Sequence, residues 1–170
     1  MKKYIVALFA GLFFTQSYCP QIPMNPVSVL LPAYQQIFLF KKPLTKENTS
    51  LWYNGVNTIT DFVISNSDNS KTVLAAINGI NNISKQTISL LQEIRNLAAI
   101  VKTLKNREEK DQYKQPLDNK INQLKNNIFL AQGTINRLQQ QAQIWNVLDG
   151  TIRFLQREIM SALEEELYNI

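Results

Sequence analysis

The feature that most constrains this chain is an apolar repeat running from Val73 to Leu148. With Val73 at heptad position a, the a positions are Val73, Ile80, Thr87, Ile94 and Val101, and the d positions are Ala76, Ile83, Leu90, Leu97 and Leu104. Thr87 alone is not apolar, and it still carries a methyl group. Ile77, Leu91 and Ala98 widen the stripe at e. A stripe with the heptad period puts all these side chains on one face of a long helix, which must then be buried against something. A second arm repeats the pattern in a new phase, with Ile121, Ile128, Ile135 and Ala142 at a and Leu117, Leu124, Ala131, Leu138 and Trp145 at d.

Between the arms lies a charged run from Arg107 to Gln115 whose only large apolar residue is Tyr113, and it ends at Pro116. Proline suits the first turn of a helix, where its missing N–H costs nothing, so the second arm is predicted to start there. Arms of similar length joined by a short connection pack as antiparallel neighbours. The expected fold is all-α: an elongated helical bundle built on a long antiparallel coiled-coil-like hairpin. Its helices are predicted at about 50–65, 71–107, 116–148 and 151–168.

The remaining segments are read around that hairpin. Pro20, Pro23, Pro26, Pro32 and Pro43 predict an irregular proline-rich arm over 18–48 that packs along the bundle. A first helix follows, capped by Thr49 or Ser50, with Leu51, Trp52, Gly55, Val56, Ile59, Phe62 and Val63 on one face. Ser70 is placed to cap the long helix after the turn formers Asn66 to Asn69. Gly79 suggests close approach by Trp52 or by the proline-rich arm. The apolar phase of the second arm breaks at Asp149-Gly150, as a stutter in one helix or a kink before a last helix, and Glu164, Glu165 and Glu166 read as a solvated run at a fraying helix end.

The first seventeen residues read as an address. Lys2 and Lys3 precede an apolar stretch from Tyr4 to Phe14, too short to span a bilayer, with small residues Thr15 and Ser17 before a cleavage point. Residues 1–17 are therefore expected to be a secretory signal peptide and the protein to be exported to the periplasm, cell surface or medium. No stable membrane span is expected after cleavage. Removing Lys2 and Lys3 from a net charge of +5 leaves 5 − 2 = +3, too little and too dispersed for a nucleic-acid surface. Cys19 is the only cysteine, so no disulfide can form within the chain.

Catalytic signals are lacking. The chain has no histidine, which removes the commonest general base and the favoured zinc ligand. It has five glycines and no glycine-rich phosphate loop. No catalytic, metal or cofactor site is expected, and the chain is read as a non-enzyme. The candidate binding surface is the charged tip of the hairpin, with Arg107, Glu108, Glu109, Lys110 and Tyr113. The partners expected are other protein subunits, including further copies of the chain. A membrane-active or pore-forming helical effector is the alternative, suggested by the apolar runs between Val27 and Phe40.

The leader, the Gln21-Ile22-Pro23 stretch and the long Gln/Asn-rich helices together give a layout that resembles the minor pilus subunits of type IV secretion and conjugation systems. That resemblance implies an exported helical bundle with a small appendage, serving in pilus assembly or as a tip adhesin. It rests on layout and not on a motif. No Arg-Gly-Asp occurs, so it assigns no site residues.

Overall fold

A computed structural model describes residues 24–170. The expected signal peptide and Cys19 lie outside the described residues. Six α-helices follow one another: α1 (Pro26–Tyr34), α2 (Lys46–Ser65), α3 (Lys71–Val101), α4 (Arg107–Asn136), α5 (Ala142–Phe154) and α6 (Met160–Tyr168). A π-helical turn at Gln35–Leu39 extends α1, and another at Leu155–Ile159 joins α5 to α6. There is no strand among the described residues, and the helices pack together around one apolar core.

The core follows the heptads. In α3, Val73, Ile80, Thr87, Ile94 and Val101 are buried, as are Ala76, Ile83, Leu90 and Leu97. In α4, Leu117, Ile121, Leu124, Ile128, Ala131 and Ile135 are buried. The two helices meet at Glu93 with Lys120, at Gln86 with Asn127, and at Gly79 opposite Ala131. Residue numbers rise along one as they fall along the other, so the helices run in opposite directions. Gly79 thus faces Ala131 of α4 and neither Trp52 nor the proline-rich arm. A Cβ on Gly79 would lie 3.4 Å from the Ala131 Cβ, so two small residues let the backbones come close.

Several helix limits differ from those expected. The first helix starts at Lys46, because Thr45 is its cap. The Thr45 hydroxyl accepts from the Asn48 N–H at 3.4 Å, and Asn48 Oδ1 accepts from the Thr45 N–H at 2.9 Å. This is a capping box built with Asn in place of Glu or Gln. Leu51, expected on its buried face, is exposed. Ser70 does cap α3, accepting from the Val73 N–H at 3.4 Å.

α3 ends at Val101 and α4 begins at Arg107, ahead of Pro116. Asn106 caps α4 by accepting from the Glu108 N–H at 3.0 Å, and Glu108 and Glu109 sit in its first turn, where the dipole favours acids. The charged run is made of good helix formers, and Pro116 lies within the helix on an exposed face. Pro116 cannot donate to the Gln112 carbonyl, which is left on the water side.

α4 stops at Asn136 and does not reach Leu148. A short turn with bonds from the Leu138 N–H to the Ile135 carbonyl and from the Gln141 N–H to the Leu138 carbonyl, both 2.8 Å, redirects the chain. Leu138 remains buried, so the apolar period crosses the break, but Ala142 is exposed and Trp145 only half-buried in the next helix. Asp149-Gly150, the expected break, lies inside α5. Gly150 is there because a Cβ would sit 3.1 Å from the Pro26 ring.

The proline-rich arm is helical over 26–39 and irregular over 40–45. Pro26 is at the first helical position and Asn25 caps the helix, its Oδ1 accepting from the Val27 N–H at 3.0 Å. Pro32 costs α1 one hydrogen bond, but Pro32 and Ser28, whose carbonyl loses its donor, are both exposed. The opposite face buries Leu30, Ala33, Tyr34, Ile37 and Phe38. Phe38 meets the fully buried Trp52 edge-on with ring centroids 5.8 Å apart, and the Trp52 indole donates to the Ser84 carbonyl at 3.3 Å. Gly55 admits α1: its Cβ would lie 3.0 Å from Leu30 Cδ2 and 3.3 Å from the Val29 carbonyl oxygen.

Two glycine substitutions should therefore move stability in opposite directions. Gly55→Val forces α1 away from α2 and is expected to cost about 2 kcal/mol. Gly133→Ala, where a Cβ meets nothing within 4 Å, is expected to gain up to about 1 kcal/mol from helix propensity. Urea denaturation followed by circular dichroism measures both.

Candidate functional site

Three elements end at one level of the α3–α4 pair, and Arg95 marks that level. The Arg95 guanidinium grips Glu166 of α6 with two bonds, Nε to Oε2 at 2.9 Å and Nη2 to Oε1 at 2.6 Å. It also donates to the Ile37 carbonyl at 2.6 Å and to the Lys42 carbonyl at 2.8 Å, at the end of the α1 segment. Thr45 and Lys46, where α2 begins, line a shallow depression with Gln92 and Glu93 of α3. The ends of α1 and α6 and the start of α2 thus gather beside residues 92–95.

α3 runs on for six residues past Arg95 to Val101, about 9 Å at the helical rise. By the register that pairs Glu93 with Lys120, the first turns of α4, from Arg107 to Leu117, lie beyond the same level. The α3–α4 end therefore projects from the body, and the candidate tip is on it. Arg107, Glu108 and Glu109 are exposed, Lys110 is half-buried and Tyr113 is exposed on the same three turns.

The five ion pairs among the described residues all lie on the body, where other charges such as Lys71, Lys85, Asp118, Arg137 and Arg157 stand exposed without an ion pair. On the body, Lys41 pairs with Glu165 at 3.1 Å, Arg95 with Glu166, Lys125 with Glu164, Lys120 with Glu93, and Arg153 with Asp149 at 2.7 Å. No ion pair forms at the tip among the described residues. Its charges are Lys102, Lys105, Arg107, Lys110 and Lys114 against Glu108, Glu109 and Asp111, or 5 − 3 = +2.

Glu164 and Glu165 are solvent-exposed as expected, but the run is not a frayed end and Glu166 is largely buried against Arg95. Each of its members reaches a different partner: Glu164 to α4, Glu165 to the α1–α2 connection and Glu166 to α3. α6 stays helical to Tyr168. The opposing cations offset the unfavourable placement of acids at a helix C-terminus. Sequence reasoning missed Arg95 altogether. The available signal was weak: α3 carries only Lys71, Lys85, Glu93 and Arg95 as charged residues over its whole length.

Among the remaining titratable groups, burial and then the nearby Glu158 push the Tyr34 phenol above its ordinary value. Burial likewise raises Tyr53. Tyr34 packs edge-on against Phe154 with centroids 5.4 Å apart, just ahead of the two π-helical turns. Among the described residues no group of three or more acidic, cysteine or histidine side chains is placed to hold a metal ion, and no helix is long and apolar enough to cross a membrane. No protein-family model, curated protein or solved structure matches this chain.

The Arg95 cluster makes a quantitative prediction. Arg95→Ala leaves the carboxylate of Glu166 and two carbonyls without their donor and is expected to cost about 2 kcal/mol. Arg95→Lys should recover little of this, because an ammonium cannot reproduce the planar two-pronged grip. A double-mutant cycle with Glu166→Gln, read by denaturant unfolding, should give a coupling energy of about 1 kcal/mol.

Proposed function

We propose that this chain is an exported, non-enzymatic interaction protein, a subunit of a bacterial envelope assembly such as a type IV secretion or conjugation pilus. In this reading α3 and α4 form the antiparallel coiled-coil-like hairpin of an elongated bundle. The end of that hairpin is what other protein subunits recognise. Supporting the reading most directly is the contrast in charge placement. All five ion pairs among the described residues lie on the body, whereas the end of the hairpin holds out Arg107, Glu108, Glu109 and Tyr113, none of which has a side-chain partner within the described chain. Exposed charges of this kind raise association rates and select partners of complementary potential, and the aromatic ring supplies contact area at low entropic cost. A net +2 at the tip favours an acidic partner surface. The leader-like first seventeen residues and the layout resembling minor pilus subunits supply the export and assembly parts of the proposal.

Two measurements test it. Mass spectrometry of the protein recovered from the periplasm or medium should find a chain that begins after Ser17; a full-length chain confined to the cytoplasm contradicts export. A photo-crosslinking residue at Tyr113 should trap a discrete protein adduct in producing cells, while one at Thr58 on the exposed face of α2 should not. Replacing Arg107, Glu108, Glu109 and Lys110 with Ser should abolish the adduct without moving the thermal midpoint. Adducts that survive the substitution place the interaction elsewhere.

A further inference from the structure

α1 and the π-helical turn that extends it run from Pro26 to Leu39 without a charged side chain. They close a longer uncharged run. No Asp, Glu, Lys or Arg occurs from Tyr4 to Phe40, and no other uncharged stretch of the chain exceeds 13 residues. The inner face of α1 and its turn packs into the core through Leu30, Ala33, Tyr34, Ile37 and Phe38. The outer face is apolar as well. Val27, Leu31, Leu39 and Phe40 are exposed there, Phe40 to 62% and Leu39 to 55%, and the other exposed residues from Pro26 to Phe40 are only Ser28 and Pro32. Leu51 of α2 adds to this face: it is exposed and lies one turn before Gly55, on which α1 rests. The segment ends in a left-handed turn at Lys41 (φ 47°), a costly conformation for a lysine. The Lys41 ammonium reaches Glu165 at 3.1 Å, while Leu39 and Phe40 stay outside the core. A helix that is apolar on all sides belongs in a core or in lipid, and only one side of α1 is in the core.

We infer that the outer face of α1 lies flat on a lipid bilayer, with these side chains in its interfacial layer. Length excludes a span: the residues from Pro26 to Leu39 rise about 21 Å, short of the roughly 30 Å hydrocarbon core. Three observations select a bilayer over a protein partner. The exposed side chains follow the outside of one helix and form a convex row, which a flat surface meets without a matching pocket. The row offers one hydroxyl, Ser28, and no charge, whereas a protein interface is held in register by about ten direct hydrogen bonds. The uncharged run also leads back without a break to the apolar stretch from Tyr4 to Phe14, so α1 is the first described helix behind a segment suited to membrane insertion. This third observation rests on the leader reading; the first two do not.

Of the two lysines that follow the row, Lys41 is paired with Glu165. Apolar burial and not charge therefore carries the attraction, and the contact is weak and reversible, as for a single short lipid anchor. None of these residues belongs to the tip, so the inference stands whichever protein the tip engages.

Tryptophan reporters in the protein purified from producing cells test it. The probe is vesicles of phosphatidylcholine and phosphatidylglycerol in equal parts, brominated on their acyl chains, up to about 1 mM lipid. Emission from Phe40→Trp should shift to the blue and be quenched as vesicles are added, after subtraction of the unsubstituted chain. Phe129→Trp, at a position 78% exposed on α4, should show neither change. Adding Leu31→Gln and Leu39→Gln to the Phe40→Trp chain should raise the lipid concentration at half quenching by about tenfold or more. Both positions are exposed, so the thermal midpoint should not move. Dye entrapped in the vesicles should stay inside. Emission from Phe40→Trp that ignores vesicles leaves the row to a protein partner and overturns the inference. Equal quenching at positions 40 and 129, quenching indifferent to the two glutamines, or release of dye would overturn it as well.

Discussion

Burial of the apolar seam between α3 and α4 is the constraint on which the other contacts depend. Each fully buried Ile or Leu along it contributes about 1.5–3 kcal/mol of transfer free energy, and the seam carries such residues from Val73 to Val101 and from Leu117 to Ile135. No local propensity competes with a term of that size. It explains why α3 tolerates Gly79 and a run of β-branched residues. It also explains why α4 holds together across Pro116, whose lost hydrogen bond lies on the water side. The remaining helices dock on the pair. α2 brings Trp52 to the Ser84 carbonyl, α1 is held over Gly55, and α5 and α6 return along α4 through Gln132 with Asp149 and Lys125 with Glu164.

Polar chemistry then sets where the body ends. A guanidinium with two carbonyls and a carboxylate has four of its donors used in fixed directions, and only one arrangement of α1, α3 and α6 satisfies them. The apolar seam has no such directional demand and could slide by a heptad. The Glu93–Lys120 and Gln86–Asn127 pairs and the Gly79–Ala131 close approach remove that freedom, and Arg95 fixes α1 and α6 against α3. Beyond Arg95 the apolar seam continues through Leu97, Val101 and Leu117, while the charges around it form no ion pair among the described residues.

Much of the core was legible in the sequence because it is periodic. Every a and d position assigned within α3 is buried, and so is every one assigned within α4. Helix ends were harder, for identifiable reasons. Pro116 looks like a start, yet Asn106 had already begun the helix among residues of high helical propensity. The turn at residues 137–141 keeps Leu138 in the core, so the apolar period gives no sign of the break. The prolines of the arm argued against a continuous helix, but Pro26 is a first-turn residue and Pro32 sits on the exposed side, so a helix runs from Pro26 to Tyr34. The candidate tip was readable as a charged interruption, and the structure brings Arg107, Glu108, Glu109, Lys110 and Tyr113 onto consecutive turns of one helix. The Arg95 cluster and the pairing of the three glutamates were not readable, since their partners lie far along the chain and no local pattern encodes them.

The division between a cooperative body and a projecting end is the central claim, and native-state hydrogen exchange tests it most directly. Amides of residues 76–95 and 121–135 should exchange only through global unfolding, so their protection should fall in step with added denaturant. Amides of residues 107–113 should exchange through local opening that is nearly independent of denaturant, even though they are helical. Protection at 107–113 equal to that at 121–135 would contradict the account, because it would mean that the tip is packed into the body.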